Sequence, residues 1–304
     1  MKTLLILLTL LSIQTINAQV SLVVLGNVQD AGSPHVGCVK DCCKNLFNNP
    51  DPSRKVVSLG LIDEFHKTNY LFEATPDIST QLHALKRFSN KENDLPDGIF
   101  LTHAHIGHYT GLMYLGKEAR NTQQVRVYSM PGMKNYLEQN GPWSQLVNQQ
   151  NISLQPLKNE RAVQLNPALQ VTPLQVPHRD EYSETVGFLI KGPHKRALFI
   201  PDIDKWEKWE HNIDSLISTV DYAFIDATFF DAAEINNRNI REIPHPFVIE
   251  SMQRFANLSA ADKNKIYFIH FNHTNPLLST TSEASGKVLS AGFHIARFGD
   301  TFKL

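Results

Sequence analysis

Three histidines fall within six residues, His103, His105 and His108, in a chain that has only 13 among 304. Neutral imidazole is the commonest metal ligand in proteins and is favoured by zinc and iron. The histidines follow the apolar run Gly98-Ile-Phe-Leu-Thr102. Side chains two apart on an extended backbone point the same way, so His103 and His105 can grip one ion together. His108 leaves from the turn beyond and can address a second position beside the first. A separate group, Cys38-x3-Cys42-Cys43, contains all three cysteines of the chain. An odd, clustered set fits chelation better than a disulfide framework, and tetrahedral zinc would need one more ligand, for which histidine is the natural choice. The alternative is one disulfide and one free thiol.

These groups need strands to carry them. Apolar runs with β character cover residues 20–25, 56–62, 70–73, 98–102, 125–129, 169–176, 185–190, 197–200, 222–226 and 266–270. Helical patterns cover residues 78–88, 133–139, 205–217, 246–255 and 282–289. Half of the strands alternate and half are continuously apolar, which fits two sheets packed face to face with helices outside. No glycine-rich phosphate loop follows any strand, so a nucleotide-binding α/β fold has no support.

Composition bounds the rest: 42% of residues are hydrophobic, 19% are charged and the net charge is -1. That is an ordinary globular balance, without the basic field that gathers nucleic acid or an anionic membrane. Residues 1–18 read as a signal peptide, with Lys2, an apolar run and Ala18 before the expected cut. Residues 19–304 then form a single domain, secreted or periplasmic, with no membrane association after cleavage and a small-molecule substrate as partner. The oligomeric state is not legible.

His-x-His-x-Gly-His after a strand resembles the HxHxDH signature of the metallo-β-lactamase superfamily, an α/β protein built as an αββα four-layer sandwich with its metals at one edge. Leu71-Phe-Glu-Ala-Thr-Pro-Asp77 is similar to the superfamily's first motif, Pro177-His178 to its third-ligand histidine, Pro201-Asp202 to its bridging aspartate and Ile269-His270 to its last histidine. The order and wording of these runs, with Pro177 to Phe188 and His270-Phe-Asn-His-Thr-Asn-Pro276, resemble the pyrroloquinoline quinone (PQQ) biosynthesis B family in particular.

The resemblance implies a first metal on His103, His105 and His178, and a second on His108 and His270, with Asp202 between them and Asp204 in reserve as bridge. The family's CxCxxC would put sulfurs at 38, 40 and 43, but residue 40 is Lys; the expectation is a structural zinc on Cys38, Cys43 and the neighbouring Cys42, with His273, where the family has Asn, as fourth ligand and His35 as a competing one because of its closeness in sequence. Glu73 and Asp226 would stand behind the ligands, and Asp202 and His245 would serve catalysis. Gly107 departs from the signature, whose aspartate would serve the second metal. The expectation is therefore one firmly held zinc, or iron, and a weak second site, with occupancy of the second raised by Gly107→Asp. Three function classes fit: a PQQ-B-like enzyme activating water or oxygen, an exported hydrolase of esters or phosphodiesters, and a non-catalytic carrier. His66, His83, His194, His211 and His294 belong to no motif.

Overall fold

The structure is a computed structural model and describes residues 20–89, 91–236 and 238–304. The proposed signal peptide lies outside these residues. The first sheet is built from β1 (Val20–Gly26), β2 (Ser58–Asp63), β3 (Thr68–Phe72), β4 (Gly98–Phe100), β5 (Val125–Ser129) and β6 (Ile152–Pro156). The second is built from β7 (Val163–Asn166), β8 (Leu169–Gln175), β9 (Val186–Lys191), β10 (Arg196–Ile200), β11 (Tyr222–Asp226), β12 (Ile266–Ile269) and β13 (His294–Ile295). The last strand, β14 (Thr301–Lys303), crosses back to pair with β1 and gives the order β14-β1-β2-β3-β4-β5-β6, against β13-β12-β11-β10-β9-β8-β7 in the other sheet. Both sheets are mixed: β3 to β6 and β10 to β13 run parallel, and their remaining pairs are antiparallel.

The period-two geometry of a strand explains why so many runs read as continuously apolar. In β1, Leu22 and Val24 face the space between the sheets, whereas Val23 and Leu25 face the first sheet's outer helices. In β10, Ala197 and Phe199 face inward, and Leu198 and Ile200 face the helices over the second sheet. Each sheet is thus covered on both sides. Helices Ile78–Phe88 and Pro131–Gln139 pack on the first sheet, and Ile213–Thr219, Val248–Arg254 and Glu283–Ser290 on the second. The result is the expected αββα sandwich.

Two sequence expectations change in detail. The helix expected over 205–217 is a short 3-10 turn, Trp206–Lys208, followed by Ile213–Thr219. Asn212 caps the latter by accepting from the Asp214 and Ser215 N–H groups. Strands β6, β7, β13 and β14 were not expected, because they are short and their polar residues hide the alternation. Among the described residues no helix is long and apolar enough to cross a membrane.

Candidate metal centre

Chain direction decides where the chemistry sits. The C-terminal ends of β3, β4, β8, β10, β11 and β12 open at one edge of the sandwich; Asp226 is the last residue of β11, and one to five residues beyond the other strands come Glu73, His103 and His105, His178, Asp202 and His270. Two turn out of their strands on left-handed backbone: Glu73 has φ 74° and His270 φ 70°. Non-glycine residues pay about 1–3 kcal/mol for this, which is the kind of strain that collects at functional sites.

Four side chains converge first. His103 Nε2 lies 2.9 Å from His105 Nδ1, which lies 3.3 Å from His178 Nε2. Asp202 Oδ2 lies 3.4 Å from His103 Nε2 and 3.3 Å from His178 Nε2. Ligands about 2.0–2.1 Å from a tetrahedral zinc stand roughly 3.3 Å from one another, so the set has the right spacing for one ion. A second set shares the same oxygen: Asp202 Oδ2 lies 3.9 Å from His108 Nε2 and 4.0 Å from His270 Nε2. Its fourth member is Asp30, whose Oδ1 stands 2.9 Å from His108 Nε2 and 3.6 Å from His270 Nε2. All donor atoms within each set lie within 4.8 Å of one another.

The opposite nitrogen of each ring is turned to the protein. Nδ1 of His103 meets Thr102 Oγ1 at 2.8 Å, Nδ1 of His178 meets Asp204 at 3.3 Å, and Nδ1 of His270 meets Thr228 Oγ1 at 2.9 Å. His108 Nδ1 faces Glu73 at 3.3 Å, and His105 Nε2 faces Glu181 at 3.0 Å. Such partners fix tautomer and orientation and leave the inner nitrogen free to ligate. Asp204, held also by Lys208 at 2.8 Å, orients His178 and is not the bridge. Asp226 accepts from the Ile203 and Thr228 N–H groups and approaches His245 Nδ1 at 2.9 Å. His245 Nδ1 is also 3.1 Å from Asp202 Oδ1.

The electrostatics oppose burial with charge. Burial alone would raise Asp202 and Asp30, but the imidazoles of His245, His178 and His270 hold Asp202 well below the ordinary range, and His108 does so for Asp30. Burial would lower His108, yet Glu73 and Asp30 hold it well above its usual value. His245 is likewise raised against burial by Asp226 and Asp202. His103 goes the other way, lowered well below by burial and by His108. Asp30 Oδ1, His108 Nε2 and His270 Nε2, all of the second set, are buried without a hydrogen-bond partner among the described residues. A cation between them would satisfy the donors' lone pairs, so this residue set fits metal.

A model of the beta-lactamase superfamily domain matches residues 68–271. The chain belongs to the metallo-β-lactamase superfamily. Among superfamily proteins, coenzyme PQQ synthesis protein B of Methylorubrum extorquens strain PA1 is 23% identical over 93% of this chain and 99% of its own length. That of Methylobacterium radiotolerans is 24% identical with the same coverage. The Zn(2+)-bound PqqB from Methylobacterium extorquens superposes with a TM-score of 0.77 at 21% identity, covering 93% of this chain and all of that one. A diphosphatase from the PhnP family superposes with a TM-score of 0.64 at 20% identity, over 94% of this chain and 97% of that one.

Of the superfamily positions read from the sequence, His103, His105, His108, His178, Asp202 and His270 are brought together, with Glu73, Asp204, Asp226 and His245 around them. Asp30, Thr102, Thr228 and Glu181 were missed. Asp30 carries no motif; its only signal is an acidic residue four positions after the apolar strand that ends at Gly26. The sulfur cluster forms at the same end of the sandwich. Cys38 and Cys42 Sγ are 3.9 Å apart, Cys42 and Cys43 Sγ 3.8 Å, and all three thiols are free. Cys38, Cys42, Cys43 and His273 form one group with metal-ligand spacing. Burial and the neighbouring sulfurs push Cys42 up to about 12, a penalty that a shared cation removes. His35 is outside that group; its ring packs on His273 with centroids 4.3 Å apart, and its Nδ1 meets the Val36 carbonyl.

Proposed function

We propose that the chain is an exported, metal-dependent enzyme resembling the PQQ synthesis B proteins, which activates water at its His-rich centre against a small-molecule substrate. The observation that carries this reading is Asp202 Oδ2, common to two ligand sets whose other members are imidazoles and one carboxylate. Metal ions held there would supply Lewis acidity and bring the pKa of a water toward neutrality. His103, His105 and His178 would hold the first ion, and His108 and His270 the second, with Asp202 between. His245, whose Nδ1 lies 2.9 Å from Asp226 Oδ2 and 3.1 Å from Asp202 Oδ1, would be the proton donor to a leaving group. Asp226 fixes the ring that does so. Zinc is the metal favoured by this donor set, with another in the sulfur cluster; iron would suit the same imidazoles.

The similarity to PQQ synthesis B proteins along nearly the whole chain supports a second reading, oxygen-dependent chemistry in making that quinone cofactor. The two separate by metal and by co-reactant. Protein purified without added metal is expected to hold zinc and to hydrolyse an activated ester or phosphodiester, with loss of that activity in Asp202→Asn. Iron, together with dioxygen consumption, would overturn hydrolysis in favour of the second reading. Export is tested separately by mass spectrometry of the mature N-terminus, expected at Gln19; a protein beginning at Met1 would refute it.

A further inference from the structure

The signature aspartate is absent at residue 107, yet the space its side chain would fill is occupied. A Cβ built on Gly107 would lie 2.4 Å from Asp30 Cα, 2.6 Å from its Oδ1 and 2.9 Å from its Cβ, contacts too short for any real side chain. We propose that Asp30 is the anionic ligand of the second metal position, delivered from the loop after β1, and that residue 107 is glycine because Asp30 stands in its place. The inference rests on the two-position centre proposed above.

Three observations carry it. First, Asp30 Oδ1 and His108 Nε2 are 2.9 Å apart but lack the alignment of a hydrogen bond, and each is buried without another partner. His270 Nε2, which is also without a partner, lies 3.6 Å from the same Asp30 oxygen, and all of these atoms lie within 4.8 Å of one another. Second, the loop is fastened to the strand end that delivers His270. Val28 pairs with both Val56 and Phe271, the Phe271 N–H donates to the Asn27 carbonyl at 2.7 Å, and the Gln29 N–H donates to the Phe271 carbonyl at 2.8 Å. The neighbour of one ligand is thus locked to the neighbour of the other. Third, the side chain at 107 would start from a helix turn only one residue before His108, so a carboxylate there and one at position 30 would compete for the same volume.

Equilibrium dialysis against zinc, with metal and protein counted by mass spectrometry and folding checked by circular dichroism, tests the proposal. Metal held by the sulfur cluster is counted for every variant in a parallel series carrying Cys38→Ser and Cys42→Ser, and is subtracted. Asp30→Asn and Asp30→Ala are expected to hold one equivalent fewer than wild type, or to bind the last one at least about tenfold more weakly. Gly107→Asp alone is expected to lower the melting temperature and to gain no metal. Asp30→Gly combined with Gly107→Asp, where the loop is freed to yield, is expected to recover metal relative to Asp30→Gly. If Asp30 only pairs with the His108 imidazolium, its variants lose thermal stability but keep the wild-type count, which overturns the proposal. A gain of metal in Gly107→Asp overturns it as well. A wild-type protein that loses no zinc on His108→Ala would sink the two-position reading itself, a result distinct from retention of metal in the Asp30 variants alone.

Discussion

At His103 the two ring nitrogens have separate tasks, Nδ1 meeting Thr102 and Nε2 meeting the other ligands, and the same division holds at His178, His108 and His270. His103→Ala removes a donor from the tighter set and should release that zinc during dialysis against a mild chelator that leaves wild type loaded. Thr228→Val keeps His270 but removes the oxygen that orients it; second-site affinity should fall about 10- to 100-fold while the first site is unchanged, as titration with zinc would show. A titrating residue lies apart from these ligands. Burial raises the Glu234 carboxyl from 4.5 to about 7, although the Thr274 hydroxyl at 2.7 Å and the Phe230 N–H partly offset this. A raised folded-state pKa stabilises the fold below the unfolded value and loses that contribution as pH rises through the folded one. Wild-type melting temperature should therefore decline between about pH 4.5 and 7 relative to Glu234→Gln, which stays neutral; parallel curves for the two proteins would refute it.

At the scale of elements, the segment from Asp30 to Cys43 is held at both ends by the chain that follows β12. One end is stitched by the Val28 and Phe271 bridges, and the other meets His273 in the sulfur cluster. His273 is three residues beyond His270, so the two metal regions share one short stretch of backbone. Cys43→Ser should then do more than remove a thiolate. It should loosen the loop that carries Asp30 and weaken the second zinc site as well, while the site on His103, His105 and His178 keeps its affinity. Zinc titration with a Cys43→Ser protein checks this, and an unchanged second site would mean that the bridges alone hold the loop.

For the molecule as a whole, the two sheets are one body because neither can bury its inner face alone. Phe72, Phe100, Phe188 and Phe199 come from β3, β4, β9 and β10 and meet between the sheets, with ring centroids 5.1 to 6.0 Å apart. Phe188→Ala, fully buried on β9, should cost about 3–5 kcal/mol in denaturant unfolding. The unfolding transition should remain single, since each sheet depends on the other; a separate transition for either sheet would contradict the single-domain reading of residues 19–304.

The sequence by itself determined the fold class and most of the centre, because those signals are local. Strand periodicity is written in neighbouring residues, and the His103 to His108 spacing, Pro177-His178, Pro201-Asp202 and Ile269-His270 are short runs that resemble known ones. It also pointed to the sulfur cluster, through the closeness of three cysteines. Only the tertiary structure decided what depends on contacts far apart in the chain. Short β7 and β13 are strands because a sheet edge was there to pair with, and Asp204 became the partner of His178 because the turn after β10 aims it so. Asp30 is the clearest case: 78 residues separate it from His108 in the chain, and no spacing rule connects a lone acid after one strand with a missing acid after another. Packing put the two in the same volume, which a sequence read along one dimension does not contain.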